Sequence, residues 1–559
     1  MNITKIKKIL SDYLAGKLEG ISSDDIMFMF EYPPEPKMGD LAFPCFKLSK
    51  VLRKSPVQIA QMLAADFLCE YVDRAEAVNG YLNIYLDKNV YTYEILSEIL
   101  HAKNNYGNSD IGNGKTVVLD YSSPNVAKPF HIGHLGTTVI GHSLKLLHEK
   151  IGYKCIGINY LGDWGTQFGK LITAYKLWGD KQKIEENGLD ELVNIYVKFQ
   201  KESEKDESLL DTARAEFAKL EKHDAENLKL WKWFIDISFI EYETTYKQLG
   251  IKFDVITGES ASYSITQPVV EELKENSLLI VDDGASIVRL DDYNMPPCMI
   301  LKSDGSTIYA VRDIATVLDR KKKYKFDKCI YVTANAQILY FNQWFKVLEL
   351  MGYNWDCVHI PYGTVSINGA KLATRTGNVI LLKDLFSTAI EKVKEIIEEK
   401  NPNLQNKDET AEAVGVGAIV FHYLMNNRIK DINFIIEDAL SFDGSTGPYA
   451  QYTYARTCSL LEKGSIDQPF NPAYQPNEEE NNVAYVLSLY PEKILEAINS
   501  YEPSVITRYI IEICTAFNRF YHEHQIIGAD IFRLKLTEAV KIILGDALGL
   551  ICLKKPEKI

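Results

Sequence analysis

The chain has 559 residues, of which 46% are hydrophobic and 25% charged, and its formal net charge is −14. This length predicts three or four domains with sizeable cores and excludes wholesale disorder. No apolar run approaches the roughly 20 residues that cross a bilayer, and the N-terminus has no signal-peptide pattern. Nine scattered cysteines without zinc spacing fit reduced thiols. We therefore expect a cytoplasmic protein without a membrane partner and without a dedicated metal site.

The first part of the chain predicts a small domain followed by a parallel sheet. Residues 1–108 show the pattern of an α+β unit, with an amphipathic helix near 55–69 and an alternating strand at 80–86. The polar stretch at 104–108 reads as a linker. A strand–helix–strand pattern over 116–160 then opens a second domain and implies parallel strands.

Residues 120–136, DYSSPNVAKPFHIGHLG, are the most informative segment of the sequence. They join a buried strand pattern to a helix pattern that should begin just after Pro129 and end at Gly152. A helix N-terminus offers free N–H groups and a partial positive charge to phosphate. Gly133 permits close backbone approach, and His131 and His134 can donate hydrogen bonds. The segment predicts a nucleotide-phosphate site, although a metal pair or surface histidines also fit the two rings taken alone.

Further polar segments follow predicted strands. The sequence NYLGDWGTQFG at 159–169 lies past the carboxyl end of the second strand, where open sheets bind ligands, and a structural turn is an equally good interpretation. A charged, helical insertion is predicted at about 175–250. Strand patterns return at 285–290, 298–301, 329–332 and 358–360. Between them, Tyr309 and Asp313 mark a helix start, although Asp313 could merely be a helix-terminal acid.

The rest of the chain is predicted to be mostly helical from about 385, with a polar loop at 464–481. Tyr449, Tyr452 and Arg456 share one helix face there, and such a stripe is more often core than binding surface. The basic run at 320–325 fits a solvated face and a phosphate contact about equally well.

These motifs resemble those of arginyl-tRNA synthetases. The HIGH-like loop and its SSPNVAKP lead-in, the GDWGTQFG segment, Gln337 after a strand, GPYAQYTYAR at 447–456 and the C-terminal PEKI are all similar to family segments. The resemblance implies an α/β class I synthetase fold with a Rossmann-like parallel-sheet catalytic domain at 109–385. An N-terminal α+β additional domain at 1–108 would contact the tRNA elbow, a helical connector at 386–444 the stem, and an all-helical domain at 445–559 the anticodon.

The resemblance also implies the activity and assigns residues to it. A family member would be an arginine–tRNA ligase that uses ATP with Mg²⁺, forms arginyl-adenylate and charges tRNA(Arg), and we expect a monomer. Catalysis and ATP binding would fall to His131, His134, Lys128 and Lys371, with Gly133 and Arg375 also at the ATP; Tyr449, Tyr452 and Arg456 would bind tRNA. The loop KLATRTGN departs from the second class signature at Leu372, Ala373 and Thr374, and Lys128 is expected to compensate.

Physical chemistry favours arginine as the amino acid. A guanidinium keeps its charge and needs carboxylates when it is buried. Asp120 and Asp313 should converge at one sheet edge, and Ser123, Asn125, Tyr309 and Gln337 can complete the hydrogen bonds. A sibling enzyme for glutamate, glutamine or cysteine is the first alternative, but it should present a cation or zinc-ligand cysteines. A non-catalytic paralogue is the second, favoured only by the altered loop at 371–375.

Overall fold

The computed structural model describes residues 2–18, 20–263, 265–367, 370–371 and 381–559. The N-terminal unit packs helices on an antiparallel sheet of order β1-β3-β2. The predicted strand at 80–86 is β3, and the helix predicted near 55–69 is the shorter α4. The elements of this unit are α1 Ile3–Ala15, α2 Ser23–Met27, β1 Leu41–Pro44, α3 Ser49–Leu52, α4 Pro56–Ala65, β2 Val72–Val78, β3 Tyr81–Leu86 and α5 Lys88–Ala102.

The central domain is built on a parallel sheet, as predicted, with the five-strand order β11-β10-β4-β5-β6. Its first half consists of β4 Thr116–Asp120, α6 Ile132–Lys150, β5 Lys154–Leu161, α7 Thr166–Trp178, α8 Lys181–Asn187, α9 Leu189–Ser203, α10 Ser208–Glu221, α11 Ala225–Leu249 and β6 Val255–Gly258. The stretch predicted to be helical at about 175–250 therefore is helical. The edge strand β6 was not predicted, because it is short and only partly buried.

The second half of this domain adds a small antiparallel sheet of order β7-β8-β9. The strand patterns at 285–290 and 298–301 belong to this separate sheet, whereas those at 329–332 and 358–360 are central strands. The elements are α12 Glu259–Tyr263, α13 Thr266–Glu275, β7 Ile280–Asp282, β8 Ala285–Val288, β9 Cys298–Leu301, α14 Tyr309–Tyr324, β10 Lys328–Ala334, α15 Ile338–Leu350, β11 Asp356–Tyr362, β12 Val365–Ile367 and β13 Ala370–Lys371.

The C-terminal part is helical, as predicted, except for β14 Ile432–Phe434, which pairs with β12. Its helices are α16 Leu382–Lys400, α17 Lys407–Leu424, α18 Ile436–Ala439, α19 Gly447–Lys463, α20 Glu478–Ser488, α21 Tyr490–Ser500, α22 Ser504–Glu523 and α23 Ile531–Leu550. Within the residues that the structure covers, no helix has both the length and the apolar character of a membrane span.

Successive residues of the strands pack alternately into two cores, one on each face of the parallel sheet. Val117 and Leu119 of β4 point into the larger core, and Val118 points into the smaller one. The N-terminal unit is also tied to the C-terminal helices: Thr92 donates to Asn481 over 2.6 Å, and the buried Lys7 pairs with Glu492 at 3.1 Å. These contacts pack the N-terminal unit directly against the C-terminal helices.

Candidate active site

The loop after β4 has an unusual backbone. Ser122, Ser123 and Ala127 have φ values of 74°, 49° and 59° in the left-handed region, which non-glycine residues rarely occupy. Such a conformation persists only where the surroundings hold it. Here the Ser122 N–H donates to Thr137 Oγ1 over 3.0 Å, and the Ser123 N–H donates to Asn159 Oδ1 over 3.1 Å. The loop is thus fixed between the start of α6 and the end of β5.

The segment at 159–169 supports this loop. Asn159 is fully buried, and a Cβ on Gly162 would lie 2.2 Å from Asn125 Oδ1, so a larger residue there would displace the Asn125 side chain. The Asp163 carboxylate accepts from the Ser260 N–H at 2.8 Å. The structural-turn interpretation therefore accounts for Asp163, while Gly162 and Asn125 line the cavity described below.

His131 and His134 form a reciprocal cap at the N-terminus of α6. The Gly133 N–H donates to His131 Nδ1, and the His131 N–H donates to His134 Nδ1, each over 3.1 Å. The helix begins at Ile132, later than Pro129 suggested, because His131 itself is the N-cap. Since each Nδ1 accepts a hydrogen bond, the proton of each neutral ring is on Nε2. The two rings lie 3.8 Å apart between centroids.

Both imidazoles are neutral at physiological pH. Burial lowers the pKa of His131 to about 4 and that of His134 to about 3, and the charge of Lys128 acts in the same direction on both rings. The pair therefore presents uncharged Nε2–H donors, which suit phosphate oxygens as charge develops on them. Lys128 itself is exposed next to them. Two other predicted phosphate-binding cations, the side chain of Lys371 and the whole of Arg375, lie outside the described residues.

A cavity of about 470 Å³ opens beside His134 at the carboxyl edge of the sheet. It brings together the residues predicted to bind the amino acid: Asp120, Ser123, Asn125, Tyr309, Asp313 and Gln337. Asp120 and Asp313 therefore converge, as expected from their positions after β4 and at the start of α14. Asp313 accepts a short hydrogen bond from the Tyr340 hydroxyl, and burial raises its pKa to about 6.

The structure corrects the expected charge of Asp120. Its Oδ2 lies 2.5 Å from the buried guanidinium of Arg320, and its Oδ1 accepts from Ser123 Oγ at 2.9 Å. Asp120 lines the cavity, but its charge is already balanced by an arginine of the chain itself. The residues of the basic run at 320–325 therefore differ in environment. Arg320 points inward, and Lys323 pairs with Asp319 at 2.7 Å.

A third carboxylate, Glu259, was missing from the sequence prediction. It lies at the start of α12, lines the cavity and pairs with Arg312 at 3.3 Å. Burial raises its pKa to about 7, with Asp313 and Asp163 adding to the shift. Its only signal in the sequence was the Gly-Glu-Ser turn after a short strand, which periodicity alone does not mark as a site.

The stripe predicted on α19 is partly surface. Tyr452 is 43% exposed, and the Arg456 guanidinium lies 5.1 Å from its ring and 4.4 Å from that of Tyr521. Tyr449 is half-buried and accepts from Asn518 Nδ2 at 2.9 Å. The exposed Tyr452 and the half-buried Arg456 thus form an aromatic–cation pair, and Tyr449 and Arg456 both bond to Asn518.

No metal ligand set occurs at this cavity among the residues described. Three candidate ligand atoms within 4.8 Å of one another do occur elsewhere, on Glu479, Glu523 and His524, and Arg519 already pairs with both carboxylates. The absence of a dedicated metal site stays a prediction.

A parallel sheet with a capped HxGH helix at its carboxyl edge, followed by a helical domain, is the architecture of a class I aminoacyl-tRNA synthetase. Residues 95–436 match the family model "tRNA synthetases class I (R), catalytic domain", 450–559 the "DALR anticodon binding domain" and 4–86 the "Arginyl tRNA synthetase N terminal domain". The chain belongs to the arginyl-tRNA synthetase family.

Relatives and solved structures agree with this assignment. The chain is 47% identical to the arginine–tRNA ligase of Alkaliphilus metalliredigens over 100% of both chains, and 47% identical to that of Clostridium perfringens over 99% of both. Its fold matches the Thermus thermophilus arginyl-tRNA synthetase with a TM-score of 0.83 at 23% identity, covering 99% of this chain and 100% of that one. The Plasmodium falciparum structure gives 0.82 at 23%, covering 99% and 98%.

Proposed function

We propose that the chain activates L-arginine with ATP to arginyl-adenylate and transfers the arginyl group to the 3′ end of tRNA(Arg). The observation that carries this proposal is the pair of neutral imidazole donors beside an acidic cavity. The imidazole donors suit a phosphate, and the acidic cavity suits a guanidinium. The arginine would lie in the cavity, with its side chain toward Asp313 and its carboxylate toward the N-terminus of α6.

Adenylate formation needs positioning and charge neutralisation rather than covalent help. The arginine carboxylate attacks the α-phosphate in line, and pyrophosphate leaves. We assign the Nε2–H groups of His131 and His134 to the developing charge, with Lys128, Lys371 and Arg375 at the phosphates. Gly133 has no side chain to obstruct ATP. Mg²⁺ would enter bound to ATP, because the cavity carboxylates already have arginine or tyrosine partners.

The arginine site would use Asp313, Tyr309 and Gln337, with Ser123 and Asn125 completing its hydrogen bonds. Asp120 has a free lone pair on Oδ1 in addition to the Ser123 bond, so it can still accept from the substrate. Glu259 joins this set because it lines the same cavity. Such a site should reject other amino acids without a second, hydrolytic site.

Transfer RNA would lie along all three regions. In the N-terminal domain, a cluster of exposed cations could meet the elbow phosphates: Lys47, Lys50, Arg53 and Lys54. Residues 386–444 would contact the stem. Tyr452 and Arg456 offer a π-face and a planar cation to unstacked anticodon bases. We also propose that the protein is monomeric and cytoplasmic, and its nine free cysteines fit a reducing compartment.

Pyrophosphate exchange tests the proposal. Arginine, glutamate, glutamine and cysteine are compared one at a time, each with and without tRNA(Arg). Of the four amino acids, we expect only arginine to support exchange. The reactions with tRNA are essential because arginyl enzymes resemble the few class members that need tRNA for activation. Exchange with another amino acid would assign a sibling specificity. Arginine binding with no exchange in the presence of tRNA would indicate a non-catalytic paralogue.

A further inference from the structure

An arginine of the protein itself lies at the wall of the cavity proposed to bind arginine. The Arg320 side chain is 4% exposed, and its Nη2 lies 2.5 Å from Asp120 Oδ2. Its guanidinium also lies 5.4 Å from the Tyr160 ring and 5.5 Å from the Tyr331 ring. Across the chain segments that the structure describes, Asp120 is its only ion-pair partner within 4 Å. The buried guanidinium therefore holds the Asp120 carboxylate through its Nη2 group.

One face of α14 carries both this arginine and the residues proposed to bind the substrate. Tyr309, Asp313, Thr316 and Arg320 are spaced by four, three and four residues and all line the cavity. Arg320 therefore lies about two turns beyond Asp313 along the same wall. Both are fixed to the same rigid helix, so their separation does not depend on a loop.

The charges of the cavity can be counted from its ion pairs. Arg320 balances Asp120, and Arg312 balances Glu259 at 3.3 Å. Asp313 has the Tyr340 hydroxyl as its hydrogen-bond partner, which supplies no charge. Among the residues that the structure describes here, three carboxylates and two guanidiniums thus leave one net negative charge, located on Asp313. One guanidinium from outside would complete the balance.

We infer that Arg320 is a positioning residue of the arginine site, which fixes the Asp120 carboxylate and leaves the cavity with a single negative charge on Asp313. The inference rests on the proposed function and adds a device for specificity to it. Without Arg320, two unpaired carboxylates would face each other across the cavity and would hold a proton between them. The groups that face Asp313 are Asp120, Glu259, Arg312, Arg320, Tyr160 and Tyr340.

The experiment tests whether the balance of charge or the individual contact matters, by removing the Asp120 charge first alone and then together with that of Arg320. The full-length chain is compared with D120N, with the double variant D120N/R320M and with R320K. Binding of L-arginine and of citrulline, its neutral isostere, is measured by calorimetry, and folding is checked by thermal melting. D120N leaves the charge of Arg320 without a partner and should weaken arginine binding about 100-fold. It should also reduce the ratio of the affinity for arginine to the affinity for citrulline. The double variant restores one net negative charge, so arginine affinity should return to within about tenfold of the parent.

Rescue by the conservative variant is the second arm. R320K keeps the charge but loses the planar fork. The ratio of arginine affinity to citrulline affinity in R320K should therefore stay within about threefold of that in the parent protein, even if both affinities fall. The inference would be overturned if the double variant bound arginine no more tightly than D120N. It would also be overturned if the ratio of arginine affinity to citrulline affinity in R320K were as low as in D120N. A parent protein that binds no arginine would instead overturn the proposed function, and the two failures are distinguishable.

Discussion

The reciprocal cap on α6 allows the two nitrogens of His134 to be tested separately. Nδ1 accepts the His131 N–H at 3.1 Å, whereas Nε2–H is the donor that we assign to the phosphate. Asparagine places its side-chain oxygen where Nδ1 lies and has no donor at Nε2. Glutamine reaches the Nε2 position with an amide N–H. His134→Asn should therefore keep the cap and lose the donor, and His134→Gln should keep the donor.

The magnitudes follow from the two kinds of hydrogen bond. Loss of one preorganised donor to a developing oxyanion costs about 10²–10³ in rate, so His134→Asn and His134→Ala should both lose that much in adenylate formation. Loss of a helix cap costs about 0.5–2 kcal/mol of stability, so His134→Ala and His134→Gln, which both lose the oxygen or nitrogen acceptor at the Nδ1 position, should melt lower than His134→Asn. His134→Gln should remain within about tenfold of the parent in rate.

The assay is pyrophosphate exchange at saturating arginine with tRNA present, together with thermal unfolding followed by circular dichroism. A loss below threefold in His134→Ala would remove His134 from the reaction. An active His134→Asn beside an inactive His134→Gln would show that capping is its whole contribution. Because the pKa of His134 is about 3, none of these rates should change between pH 6.5 and 8 through this group.

Three further predictions concern the cavity and the tRNA surface. Asp313→Asn should raise the KM for arginine about 10²-fold and leave the KM for ATP within threefold; equal effects on both would refute its assignment. Burial raises the pKa values of Asp313 and Glu259 to about 6 and 7, so the unliganded fold loses stability as pH rises from about 4 through 7, whereas arginine binding needs the ionised forms. The Tm increase given by saturating arginine should thus be larger at pH 7.5 than at 5.5, and the reverse order would contradict this. Tyr452→Ala should raise the KM for tRNA about tenfold through lost stacking; Tyr293→Ala, equally exposed at 42% on the central domain, is the matched control and should not change it.

Local patterns allowed the strand, loop and helix that we propose to bind the nucleotide to be predicted. The strand at 116–120, the loop and the helix from Ile132 follow one another in the sequence, so apolar periodicity and two histidines were enough. The helix start was misplaced by a few residues because a histidine cap is not one of the usual capping residues. The tautomer of the two rings became visible only with the backbone N–H groups around them.

The amino-acid end depended on convergence that a sequence does not display. Glu259, Arg320 and Tyr340 come from three separate helices and meet Asp120 only in the folded sheet. Arg320 stood inside a basic run, where its neighbours are surface lysines, and nothing local distinguishes the one inward side chain. Glu259 followed β6, which was itself not predicted because so little of that strand is buried.

One physical problem connects the two ends of the site. In a cleft that we propose to hold a guanidinium and a triphosphate together, the protein's own charges of opposite sign would compete with the ligands if they paired with each other. Two features limit this competition: the imidazoles of His131 and His134, which we assign to the phosphate, are uncharged, and two of the cavity carboxylates already have arginine partners. Asp313, whose bonding partner is the neutral Tyr340 hydroxyl, remains as the carboxylate for which a substrate cation is the missing counter-charge.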